Sequence, residues 1–244
     1  MKCIILAASC SSRKNQLTNG TPKALLPIRG KPIIEYIVDK VQALDLVGGI
    51  YIVACHREFW KMERWLASYV SMIPIRLIND GATNAKETLG AIKDLALALE
   101  KEGIKEDILV LGGDNIFSFA LSPFIEFARN IYPNNVIGVY ELNGKHKQEM
   151  YGVLLLDENN KVIEFHEKPK ESNGSRYLSA CIYYFPREKI PLIPKYIRSG
   201  KGVNGTGSYI QWLTQNDSVY GHVFTGTWLD IGDTDAYTEA VLTF

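Results

Sequence analysis

Four short apolar runs, at residues 3–8, 50–55, 75–78 and 108–111, are separated by stretches whose apolar residues recur every three or four positions. Runs of that length read as buried strands and the stretches between them as amphipathic helices, giving the order β-α-β-α-β-α-β. Such alternation predicts an α/β fold, a doubly wound and mainly parallel Rossmann-like sheet, because a parallel pair needs a crossover and helices serve as crossovers. Pro32 opens the first helix, where a missing N–H costs nothing, and Ile33, Ile34, Ile37, Val38, Val41 and Leu44 form its apolar stripe. The second helix is expected over 57–69. A third, over 85–102, carries Leu89, Ile92, Leu95, Ala96 and Leu99 on one face.

Beyond about residue 135 the rhythm changes. Residues 136–142, 152–156, 162–166 and 177–185 read as strands with few helices between them, and Asp157-Glu158-Asn159-Asn160 as a hairpin turn. Antiparallel strands are therefore expected beside the parallel ones. No Pro/Ser-rich linker parts the halves, so residues 1–244 read as a single domain, in two parts that meet near residue 135.

Composition narrows the function. With 46% hydrophobic and 22% charged residues the chain is an ordinary globular one, and 27 basic residues balance 27 acidic ones. Zero net charge gives no general attraction to nucleic acid or to an anionic membrane, so any anion must be held by a local site. No apolar run reaches transmembrane length. Met1-Lys2 runs straight into an apolar strand, so no leader is expected, and no further domain is expected after Phe244. Cys3, Cys10, Cys55 and Cys181 match neither a zinc spacing nor a disulfide framework, which favours free thiols and a cytoplasmic location.

In an open α/β sheet, ligands sit outside the carboxyl ends of the strands. The loop after the first strand leads there, and it carries Ser9, Ser11, Ser12, Arg13, Lys14 and Lys23, hydroxyls and cations suited to a polyphosphate. Neither G-x-G-x-x-G nor G-x-x-x-x-G-K-[ST] occurs in it, which argues against an NAD-type Rossmann protein and a P-loop NTPase.

Leu6-Ala7-Ala8-Ser9-Cys10-Ser11-Ser12-Arg13, then Pro22-Lys23-Ala24-Leu25-Leu26-Pro27-Ile28, then Gly30-Lys31-Pro32-Ile33-Ile34 resembles the opening of the sugar-phosphate nucleotidyltransferases. Leu111-Gly112-Gly113-Asp114-Asn115-Ile116-Phe117 is similar to the L-G-D-N-I-F of glucose-1-phosphate thymidylyltransferases. Tyr151-Gly152-Val153, Glu167-Lys168-Pro169 and Thr227-Trp228-Leu229-Asp230-Ile231-Gly232 resemble their Y-G-V, E-K-P and W-L-D-x-G words, in the same order.

The resemblance implies the nucleotide-diphospho-sugar transferase fold, with a nucleotide-binding part over about 1–135 and a sugar-binding part over about 136–244. It also implies a Mg²⁺-dependent transfer of a nucleotidyl group from an NTP to a sugar 1-phosphate, dTTP or UTP with a hexose 1-phosphate being favoured. By the same resemblance, Asp114 and Asp230 hold Mg²⁺, Arg13 and Lys23 neutralise the triphosphate, and Lys168 holds the sugar phosphate. Glu167, Gly152 and Ser179 line the sugar pocket. Leu6, Ala8, Ser9, Ser11, Ser12, Arg13, Lys23, Asn79 and Leu89 line the nucleotide, and a homo-oligomer with 191–213 as contact surface is implied by analogy.

Each of these residues has a plainer reading: Asp114 as a turn residue, Asp230 as one of several caps beside Asp233 and Asp235, Lys168 as a surface charge. Ser9 stands where the family has glycine, so crowding or a strained backbone is expected there. Cys10, close in sequence to Arg13 and Lys23, is expected to be a reactive thiol. Trp60, Trp65 and Trp212 read as core or interface residues rather than a nucleic-acid surface. The alternatives are a cytidylyltransferase acting on phosphocholine or another phosphorylated alcohol, and a non-catalytic nucleotide-sensing relative.

Overall fold

Strand β1 (Lys2–Ala7) sends Cys3 and Ile5 into one apolar layer and Ile4 and Leu6 into the other, as a strand covered on both faces must. In the computed structural model, which describes all residues except 11–16, 85, 142–147, 171–173 and 201–204, the ribbon β2 (Pro27–Ile28) and β3 (Lys31–Pro32) leads into helix α1 (Ile33–Gln42). Then come β4 (Ile50–Ala54), α2 (Phe59–Ser68), β5 (Ile75–Asn79), α3 (Ala91–Lys101), β6 (Ile108–Gly112), β7 (Asn115–Phe117), α4 (Ser122–Asn130) and β8 (Asn135–Glu141). The remainder is β9 (Gly152–Leu156), β10 (Val162–Glu167), β11 (Tyr177–Phe185), α5 (Leu192–Arg198), α6 (Thr206–Asn216), β12 (Val219–Phe224), β13 (Trp228–Asp230) and α7 (Thr234–Thr243).

One sheet runs in the order β10-β9-β11-β6-β1-β4-β5, with β8 also paired to β11 and β12 to β8. β6, β1, β4 and β5 are parallel, whereas β11 is antiparallel to β6, β8 and β9. Helices α1, α2 and α4 pack into one core layer and α3, α5 and α6 into the other. This is the doubly wound α/β sheet with added antiparallel strands that the sequence predicts.

The structure adds detail to the expectation. Helix α3 starts at Ala91, not near residue 85, because Gly90 takes φ 87°, a backbone angle outside the helix. Leu89 therefore precedes the helix. Strand β12 pairs in parallel with β8, although its composition gives no clear alternation. Trp65 and Trp212 are buried, but Trp60 is 57% exposed and so lies outside the core.

Two carboxylates are buried close to one another, Asp80 just after β5 and Asp94 in α3. Asp80 Oδ1 accepts from the backbone N–H of His56 (3.0 Å) and Ala82 (2.8 Å), while Asp80 Oδ2 and Asp94 Oδ1 are buried without a partner among the described residues. Burial, and then the Asp80 charge, push the Asp94 carboxyl up to about 7. The folded-state value thus lies above the unfolded one. Stability is full below the unfolded value of about 4, falls as the unfolded chain alone ionises, and reaches its floor above about 7. Asp94→Asn keeps the shape and removes the ionisation. It is expected to raise Tm by roughly 5 °C at pH 8 and to leave it unchanged at pH 4 in parallel thermal melts, whereas an equal effect at both values would contradict the assignment.

Candidate active site

The chain leaves β1 toward β4 and β5 on one side and returns to place β6 on the other, so strand order reverses between β1 and β6. A crevice opens at such a point, at the carboxyl ends of the two strands. Gly113, just after β6, donates its N–H to Leu6 O (2.9 Å). A methyl group on Gly113 would lie 2.7 Å from Ala7 Cβ and 3.0 Å from Leu6 O, so only glycine lets this turn rest on β1. Asp114 is thereby aimed into the crevice beside the loop that follows β1.

The neighbours of Asp114 fix its carboxylate. Lys23 Nζ lies 3.3 Å from Oδ2, and Asn115 Nδ2 donates to Oδ1 at 3.2 Å. Asn115 is held in turn by the buried indole of Trp228, whose Nε1–H donates to Asn115 Oδ1 at 2.8 Å. Strand β13 pairs antiparallel with β7, setting Asp230 opposite Asn115, and Ile231 N–H donates to Asp114 O at 2.9 Å. The cap of α7 is Asp233, which accepts from Ala236 N–H at 2.9 Å. Asp230 is not the cap.

Asp114 and Asp230 repel one another. Burial and the Asp114 carboxylate push the Asp230 carboxyl well above the usual carboxylate range, with Lys23 and Lys168 acting in the opposite sense. Burial, together with Asp230, Asp233 and Asp114, also pushes the Tyr151 hydroxyl up.

Asp230 borders a cavity that also takes in Gly152, Glu167, Lys168 and Ser179, so one of the two residues implied for the metal lies with those implied for the sugar. Lys168 adopts φ 48°, uncommon for a residue with a side chain, and its N–H donates to Tyr151 O at 2.9 Å. Glu167 donates its N–H to Gln211 Oε1 at 2.8 Å. Burial raises its carboxyl, and the Lys168 charge lowers it. Gly152 has no side chain where the Phe165 ring and, at 3.1 Å from a built methyl, Glu167 Oε2 pack.

Sequence reasoning missed Cys181, Tyr183, Thr206 and Gly207, which complete the cavity wall. Residues 179, 181 and 183 alternate along β11, so strand periodicity would have grouped the first two with Ser179. Tyr183 Oη and Thr206 Oγ1 lie 3.1 Å apart, tying β11 to the start of α6. Nothing local in the sequence announced that contact.

Of the residues implied for the nucleotide, Leu6 lies in the last two residues of β1, Ala8 is buried and Ser9 is exposed. Ser11, Ser12 and Arg13 lie outside the described residues. Ser9 is not among the residues of positive φ, so the strained backbone expected there is absent. Asn79 is engaged by the protein: its Oδ1 accepts from Gly81 N–H and its Nδ2 lies 2.8 Å from His56 Nδ1, the Gly81 bond also being 2.8 Å.

The cysteines correct the expectation of four free thiols. Cys10 and Cys55 form a disulfide with a Cα–Cα distance of 5.5 Å, leaving Cys3 and Cys181 free. A reactive Cys10 thiol is thus excluded in this form of the protein. The pairing follows from β1 and β4 being parallel neighbours with Ala7 opposite Ala54, which brings both cysteines out at the same end of the sheet.

Comparison with known proteins shows the family. The profile of the family described as nucleotidyl transferase matches residues 2–244. The chain belongs to that family. It is 30% identical over 95% of its length to the bifunctional protein GlmU of Methanocaldococcus jannaschii, of which it covers 51%. It is 28% identical, again over 95%, to the mannose-1-phosphate guanylyltransferase catalytic subunit beta of Drosophila melanogaster, covering 59% of that protein. The chain thus spans about half the length of the curated relatives it matches first. A Bacillus anthracis crystal structure assigned as a glucose-1-phosphate thymidylyltransferase, in complex with sucrose, superposes with a TM-score of 0.81 at 25% identity, over 99% of this chain and 94% of the other. The sugar-phosphate nucleotidyltransferase resemblance and the α/β fold that it implies both stand. Among the described residues no helix is long and apolar enough to cross a membrane.

Proposed function

We propose that the protein transfers a nucleotidyl group from an NTP, dTTP or UTP being favoured, to a hexose 1-phosphate. One observation carries the reading: Asp230, Glu167 and Lys168 line a single cavity together with Asn115, which hydrogen-bonds the Asp114 carboxylate that pairs with Lys23. A phosphate oxygen of the sugar 1-phosphate bonds to the α-phosphorus as the bridging oxygen to the β-phosphorus leaves with its electron pair, releasing pyrophosphate. Such a transfer needs alignment and charge neutralisation rather than a covalent nucleophile. Lys23 supplies positive charge on the nucleotide side, Lys168 on the sugar-phosphate side, and the Glu167 carboxylate accepts hydrogen bonds from sugar hydroxyls.

Asp114 and Asp230 fit a magnesium ion. Burial and the Asp114 carboxylate raise the Asp230 carboxyl, a cost that a cation between the two would remove. Magnesium takes one or two carboxylates and completes its shell with phosphate oxygens and water. When bound, it would supply neutralisation of the reacting phosphates.

The test is pyrophosphate release across the five common NTPs and a panel of hexose 1-phosphates, with phosphocholine included and magnesium present or withheld. Release with a hexose 1-phosphate, lost without magnesium, supports the reading. Release with phosphocholine alone would transfer the assignment to an alcohol-phosphate cytidylyltransferase. Nucleotide binding with no release for any pair would favour a regulatory relative.

A further inference from the structure

Gly207 occupies the first turn of α6 and is buried, yet its backbone is ordinary: it is not among the glycines of positive φ. Conformational freedom therefore does not require glycine there. Within a helix, glycine is less favourable than alanine by roughly 1 kcal/mol. The space beside Gly207 gives the reason. A methyl group built on its Cα would overlap Glu167 Oε2 and Cδ and come within 2.7 Å of Oε1. Neighbouring Gly205 is not so constrained, since a methyl there would meet Glu167 Oε1 at 3.7 Å, an ordinary contact. On its other side the Glu167 carboxylate faces Gly152, where a built methyl would lie 3.1 Å from Oε2.

We propose that Gly207 is a positioning residue for the acceptor: by presenting no side chain, it lets α6 close on the Glu167 carboxylate and hold it at the sugar end of the cavity. The inference rests on reading that cavity as the sugar 1-phosphate site. Its mechanics do not need the fold to change. The atoms that a methyl would strike are the far end of a flexible side chain, so the carboxylate swings away while the helix stays. Glu167 is anchored by its backbone to Gln211 on the same helix, so its main chain keeps its place and only the carboxylate loses its setting.

Gly207→Ala is expected to raise KM for the hexose 1-phosphate roughly tenfold, with kcat and the NTP KM changed less than about twofold. Tm should hold or rise, as alanine in a helix predicts. In a Glu167→Ala background there is no carboxylate to displace, so Gly207→Ala should add nothing further to KM. Additive effects, or a fall in Tm accompanied by equal losses for both substrates, would overturn the proposal and leave Gly207 a packing residue. Should the wild-type protein show no turnover with any pair, the functional reading fails first. Crystal structures of the wild type and Gly207→Ala then decide the positioning role: a Glu167 carboxylate rotated off α6 in the variant supports it, and one that has not moved refutes it.

Discussion

Asp114→Asn is expected to lower kcat on the order of 10³-fold with the fold intact. The substitution removes one negative charge at the point where Lys23 and the carboxylates of Asp114 and Asp230 meet, and groups placed to stabilise developing charge account for losses of about that size. An asparagine retains an oxygen that can accept from Asn115 Nδ2, so the link through Asn115 to Trp228 survives. Tm should therefore change little. Steady-state pyrophosphate release together with a thermal melt makes the check. Activity within about tenfold of wild type would return Asp114 to the status of a turn residue, and a collapsed Tm would make the loss uninterpretable as chemistry.

Reducing the protein is expected to lower Tm on the order of 10 °C. The Cys10–Cys55 bridge closes a loop across a sequence separation of 45, for which chain entropy alone gives about 4 kcal/mol. A chain of this size moves by roughly 2–4 °C per kcal/mol. Cys55→Ala should melt at the lower temperature whether or not reductant is present. Thiol titration of the denatured protein provides the count: two of the four cysteines react before reduction and all four after it. Four reactive thiols in the untreated protein, with a Tm insensitive to reductant, would refute the bridge.

Much of the fold was legible because it rests on local periodicity. The runs that became β1, β4 and β6 are almost wholly apolar, as strands covered on both faces must be, and α1 declares itself by its stripe from Ile33 to Val41. The motif residues Asp114, Gly152, Glu167, Lys168, Ser179 and Asp230 could be named from their neighbours in sequence. The last five line one cavity, which Asp114 adjoins through Asn115.

Local order along the chain sets the buried strands, the helical stripes between them and the charged residues around the crevice. These depend on spacing along the chain. Only the tertiary structure decided that Cys10 meets Cys55, that Asp94 is buried near the Asp80 charge and that α6 closes on Glu167 through Gly207. The first and last join elements far apart in the chain, and all three depend on strand order and helix placement. No local pattern of side chains encodes a contact whose partner is chosen by the packing of the whole sheet.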